Sequence, residues 1–160
     1  FVEEGDRWYD PVMVGPSTFV HDTTSAETAR ELLKILKKLT ADKYVEFNIT
    51  YLETGLKRFG DNWRYADINT VLFGICKNLK PESYMEIGVR RGRSMSVVAS
   101  LLPDISITGF DMWIKNYVGI ENPGPEFVKK ELQQVGAYST STILSYCPSS
   151  NSRIPLWKGK

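Results

Sequence analysis

Glu86-Ile87-Gly88-Val89-Arg90-Arg91-Gly92-Arg93-Ser94 sets the character of this 160-residue chain. The residues around its start, Tyr84 to Val89, form a short apolar run broken by Glu86, the pattern of a strand. Gly88 to Gly92 reads as a turn. Ser94 to Leu102 then puts Met95, Val98 and Leu102 on one helical face, with Pro103 as its stop. Glycine at such a junction permits a tight turn and lets a ligand approach the backbone. The helix behind it starts with free N–H groups and a positive dipole end, which favour an anionic or carboxylate-bearing group. Ser94, in the first turn, adds a hydroxyl.

Downstream, Ile105 to Phe110 alternates as a strand and ends at Asp111. Met112 to Pro125 is a loop, with turn signals in Asn122-Pro123-Gly124-Pro125. Pro125 suits the first turn of a helix whose apolar face is Phe127, Val128, Leu132 and Val135, and Gly136 closes it. Ser139 to Ser145 reads as a third strand. The order strand, helix, strand, helix, strand predicts an α/β fold with a parallel, Rossmann-like sheet of about three strands. The tail from Tyr146 to Lys160 is Ser- and Pro-rich and weakly patterned.

Upstream the period is helical. Phe1 to Thr23 shows no period, with turn signals at Asp10-Pro11 and Gly15-Pro16, and reads as an irregular arm. Thr24 and Glu27 fit a capping box ahead of Ala29, Leu32, Leu33, Leu36 and Leu39, with Lys34, Lys37 and Lys38 on the solvated side. Val45, Ile49, Leu52, Leu56 and Phe59 mark a second helix, capped by Gly60. Tyr65, Ile68, Leu72, Ile75 and Leu79 mark a third, which Pro81 ends. The aromatic residues on these faces read as core. Residues 1–80 are thus an arm and helical section, and 81–160 a partial Rossmann-like region; together they make one compact domain.

The glycine turn is not the dinucleotide fingerprint, because Arg90 stands where the middle glycine would make room for a pyrophosphate. That disfavours a nicotinamide cofactor and suits a nucleoside without phosphates. Asp111 ends the second strand about 20 residues later, where the acid of this fold class faces a ribose. Met112 can lay its thioether against an adenine. Arg90, Arg91 and Arg93 either bind an anionic substrate or form a solvated turn. Trp113 and Tyr117 either make an aromatic lid or pack the loop.

Glu86-x-Gly88-x-x-x-Gly92-x-Ser94 resembles the first motif of class I S-adenosylmethionine-dependent methyltransferases, in the variant of the catechol-type and macrocin-type O-methyltransferases. Gly109-Phe110-Asp111-Met112-Trp113 and Asn122-Pro123-Gly124-Pro125-Glu126-Phe127-Val128 resemble a bacterial subgroup linked to sugar or natural-product modification. The resemblance covers Tyr84 to Ser145. It implies S-adenosylmethionine as cofactor and O-methylation of a sugar or small metabolite. Gly88 and Gly92 would line the methionine part. Glu86 would hold its amino group or order the turn, Ser94 would meet its carboxylate, and Asp111 would bind the ribose.

The family continues past the third strand with an acidic-serine turn, a helix and further strands that carry substrate and metal groups. Here Tyr146-Cys147-Pro148-Ser149 stands in the turn, and no sequence follows for strands four to seven. In the usual strand order 3-2-1-4-5, strand one would then become an edge. The chain is therefore expected to belong to a larger protein or to self-associate through that edge. No catalytic residue and no metal site is assigned. A non-catalytic module that binds a nucleoside or a partner chain is the alternative.

Composition bounds the rest. The chain is 42% hydrophobic and 24% charged, so it can bury a sizeable core. Twenty Lys and Arg balance 19 Asp and Glu. That balance disfavours nucleic acid and polybasic membrane binding. The two cysteines and the lone His21 make neither a disulfide framework nor a zinc site. Cys76 reads as a buried thiol. With no disulfide framework the expected setting is reducing and cytoplasmic; no apolar run is long enough for a transmembrane or signal segment, and the resemblance implies a small-molecule substrate as partner.

Overall fold

The computed structural model describes residues 16–116, 118–137 and 142–146, with the backbone alone for 16 and 142–146. The strand and helix order agrees with the reading above. Strand β1 is Ser83–Ile87, helix α5 Arg93–Leu101, strand β2 Ser106–Asp111, helix α6 Pro125–Gln134 and strand β3 Thr142–Tyr146. Before them come α1 (Pro16–Thr24), α2 (Ala26–Leu36), α3 (Lys43–Phe59) and α4 (Ile68–Leu79). The chain is α/β: among the described residues three parallel strands lie in the order β1-β2-β3.

Register explains the packing. Tyr84 pairs with Ile107 and Glu86 with Gly109, so these four share a face. Two successive crossovers in one direction put α5 and α6 on that same face, where they touch each other. Ile107, Met95, Val97, Val98, Val128 and Leu132 form the core there, continuous with Leu32, Leu36 and Leu52 of the helical section. The opposite face carries Met85 and Ile87, 64% and 69% exposed.

Local chemistry corrects several expected boundaries. Residues 16–24 form helix α1 and are not an irregular stretch. Phe19 and Val20 are its large apolar residues, so no stripe announces it; it is held by packing on α4. Ser25, rather than Thr24, caps α2, accepting from the Thr28 N–H at 3.1 Å, while the Thr24 hydroxyl turns back to the Val20 carbonyl. Helix α4 begins at Ile68 and not at Tyr65, because Asp67 and Thr70 form a reciprocal capping box. Tyr65 stays outside it, stacked on Trp63 at 5.2 Å. The aromatic residues do not all enter the core: Phe73 is buried, whereas Tyr44, Phe47 and Phe59 are exposed. Gly60 caps α3 with φ +56°, as its position suggested.

Cys76 is buried, and burial pushes its thiol up to about 11. His21 lies exposed on α1. No helix among the described residues is long and apolar enough to cross a membrane. The expected arm over residues 1–15, Tyr117, Cys147 and the tail over 147–160 lie outside the described residues.

Candidate functional site

Strand β1 delivers the chain into the glycine turn at its carboxyl end, beside the carboxyl end of β2. Gly88 N–H donates to the Phe110 carbonyl at 2.8 Å, extending the pairing by one residue. Gly88 then takes φ +87°, and a Cβ built there would meet nothing within 4 Å. Its backbone is open to a ligand. Gly92 is glycine for another reason. It has φ +69°, and a Cβ would fall 2.6 Å from Val128 Cγ1. Gly92 therefore lets α6 close on the start of α5, and it does not line the cavity described below. Arg90, in place of the middle glycine, adopts φ +52°.

A cavity of about 400 Å³ opens at these strand ends. Ile87, Gly88, Phe110, Asp111 and Met112 form its floor. Arg90 and the loop residues Ile114, Val118, Ile120, Glu121 and Asn122 form its wall. The lining is apolar apart from the Asp111 carboxylate and its neighbours. The cavity lies at the carboxyl ends of parallel strands, the side on which open α/β sheets bind ligands.

Asp111 is buried and heavily engaged. Its Oδ2 accepts from the Arg90 backbone N–H at 2.8 Å. Its Oδ1 accepts from the Trp113 N–H and the Asn122 amide, each at 2.8 Å. The carboxylate thus ties the glycine turn to both ends of the loop that follows β2. Asn122 was read in the sequence as a turn signal alone.

Glu86 and Ser94 meet each other and not the cavity. The Ser94 hydroxyl lies 2.7 Å from both Glu86 oxygens, and the Tyr84 hydroxyl donates to Oε2 at 2.8 Å. Glu86 therefore orders the turn by fastening β1 to the first turn of α5. Ser94 spends its one donor on that clamp. Burial raises the Glu86 carboxyl above its usual range, the two hydroxyl donors counteract this, and Asp111 adds to the rise.

The three arginines of the turn are partly buried, and each already faces a carboxylate. They converge on Asp42, the residue that caps α3 through its Oδ1. Arg91 Nε lies 3.2 Å from Asp42 Oδ2, Arg93 Nη2 3.5 Å from Oδ1 and Arg90 Nη2 3.8 Å from Oδ2. Arg91 also pairs with Glu121 at 3.0 Å and lies over the Phe127 ring. Burial lowers the Arg93 pKa. Asp42 was missed in the sequence, although an aspartate ahead of Val45 is a helix-cap signal. Trp113 packs against the core.

Among the described residues no group of three or more His, Cys, Asp or Glu could hold a metal ion. Compared with family models, curated proteins and solved structures, the chain finds no match.

Proposed function

We propose that the chain is the S-adenosylmethionine-binding part of a Rossmann-like methyltransferase that methylates an oxygen of a sugar or small metabolite. The observation that carries this reading is the cavity at the ends of β1 and β2, where an open glycine backbone and a buried carboxylate sit side by side. The residues present fit the group. Gly88 leaves space for close approach of the methionine part. Asp111 would accept from the ribose. Phe110 and Met112 would lie along the adenine. The bound cofactor would supply the methyl group, and the chain's own part would be to orient it and exclude water. The buried, unpaired Cys76 suits a reducing, cytoplasmic setting.

A second reading has its own support. Met85 and Ile87 leave one sheet face uncovered, and β1 has no strand on its outer side among the described residues. A non-catalytic module that docks a partner chain there is the alternative.

Calorimetric titration with S-adenosylmethionine and S-adenosylhomocysteine tests the first reading. Both are expected to bind with saturation, and Asp111→Ala is expected to weaken them about tenfold or more. A folded chain that binds neither sinks the cofactor reading.

A further inference from the structure

The loop after β2 leaves the sheet at Asp111 and comes back to the same carboxylate at Asn122. Its returning limb is held twice more. The Arg90 guanidinium donates to the Glu121 carbonyl at 3.0 Å, and Arg91 pairs with the Glu121 carboxylate at 3.0 Å. Between these ends the loop carries Ile114, Val118 and Ile120 along the cavity. Asn122 is itself buried, and both ends of its amide are engaged. The NH₂ donates to Asp111 Oδ1, and the amide oxygen accepts from the Gly124 N–H at 3.2 Å. A flipped amide would set oxygen against the carboxylate, so its orientation is fixed.

The acceptor count follows. A carboxylate oxygen offers about two lone-pair sites. Oδ1 has two donors, Trp113 N–H and Asn122. Among the described residues Oδ2 has one, Arg90 N–H, which leaves one position for a further hydroxyl. Anchoring Oδ1 stops the carboxylate from rotating and commits Oδ2 to whatever enters the cavity.

We infer that Asn122 is the positioning residue of this site: it holds the Asp111 carboxylate rotated for one ribose hydroxyl, and it closes the base of the loop that walls the cavity. The inference rests on the nucleoside reading of the cavity. Leucine, of similar size, would leave Oδ1 one donor short. Ionised aspartate, of the same shape, would repel Asp111.

The test titrates S-adenosylhomocysteine into wild type, Asp111→Ala, Asn122→Ala and Asn122→Asp, at about pH 8 and about pH 5.5. Ligand-free melting is recorded for each. Glu86, Glu121, Arg90 and Arg91 surround the pair in every variant except for the substituted side chain, so affinities are compared as ratios to wild type at the same pH. Asn122→Ala is expected to bind about tenfold more weakly at both pH values. Asn122→Asp is expected to lose at least as much at about pH 8, where two carboxylates would face each other. At about pH 5.5 it should recover towards wild type, because the introduced carboxyl, once protonated, donates to Asp111 as the amide did. Wild-type binding that depends on Asp111 but not on Asn122 overturns the inference and leaves the cofactor reading standing. Asn122→Asp weakened equally at both pH values also overturns it, since that marks a merely structural role. A folded wild type that does not bind removes both.

Discussion

A carboxylate on the covered face of a strand must find donors or keep its proton. Glu86 does some of each. Two hydroxyls hold it, yet burial dominates and its pKa lies above the ordinary glutamate range. The native state therefore keeps this proton to higher pH than the unfolded chain does. Stability then falls as pH rises from the unfolded pKa through the raised folded one, and is level above it. Glu86→Gln removes that titration while its amide oxygen still accepts from Ser94. Melting between about pH 4 and about pH 8 should show a smaller decline for Glu86→Gln than for wild type. Glu86→Ala should cost about 1–3 kcal/mol, because the Ser94 and Tyr84 hydroxyls lose their acceptor. Parallel melting curves for wild type and Glu86→Gln would show that the proton is not linked to folding.

Two glycines of one turn separate binding from packing at the scale of elements. Gly88 and Gly92 both have positive φ, so alanine costs each about 1–2 kcal/mol of strain. At Gly92 the new methyl also meets Val128 of α6, adding about 1–3 kcal/mol of overpacking. At Gly88 it meets no protein atom but projects where a ligand would approach. Gly92→Ala should therefore lower the melting temperature more than Gly88→Ala, and Gly88→Ala should lose more affinity for S-adenosylhomocysteine relative to its loss of stability. Thermal melting and calorimetry on the same samples decide it; equal loss in both variants would leave the open backbone at Gly88 without a role. The contrast also shows what was legible. Glycine, proline and apolar spacing are local signals, and they place the turn between β1 and α5 and the loop after β2 correctly. Gly92 was assigned to the ligand because its true neighbour, Val128, lies a helix away. Asp42 and Asn122 escaped for the same reason: the partners of a buried polar group are set by tertiary approach, which periodicity does not encode. Helix α1 escaped because it lacks an apolar stripe, and the start of α4 because Asp67 stops a helix that Tyr65 would have continued in period.

Among the described residues, the sheet has one covered face and one open one. Helices α5 and α6 and the helical section bury one face of the sheet. On the other, Met85 and Ile87 face solvent, aligned in register with Thr108 and Phe110. Parallel strands are stable when both faces are covered, and an outer strand offers a row of free N–H and C=O groups to another chain. Two devices that blunt such an edge are missing from Ser83–Ile87. It holds no proline or lysine, and its one charge, Glu86, is turned inward to Ser94. The formal net charge of +1 opposes association weakly. A second copy can pair with β1 about a twofold axis, setting Met85 against its own counterpart in a self-complementary contact. This chain is thus expected to self-associate in a concentration-dependent way. Met85→Lys with Ile87→Lys should shift it to monomer, since lysines on that face must stay in water and repel across the axis. Sedimentation velocity over a range of concentrations, with hydrogen exchange on the β1 amides, measures this. A wild type that stays monomeric while the β1 amides turned away from β2 are protected would mean that the edge is already covered within one chain. The open face would then have no part in association.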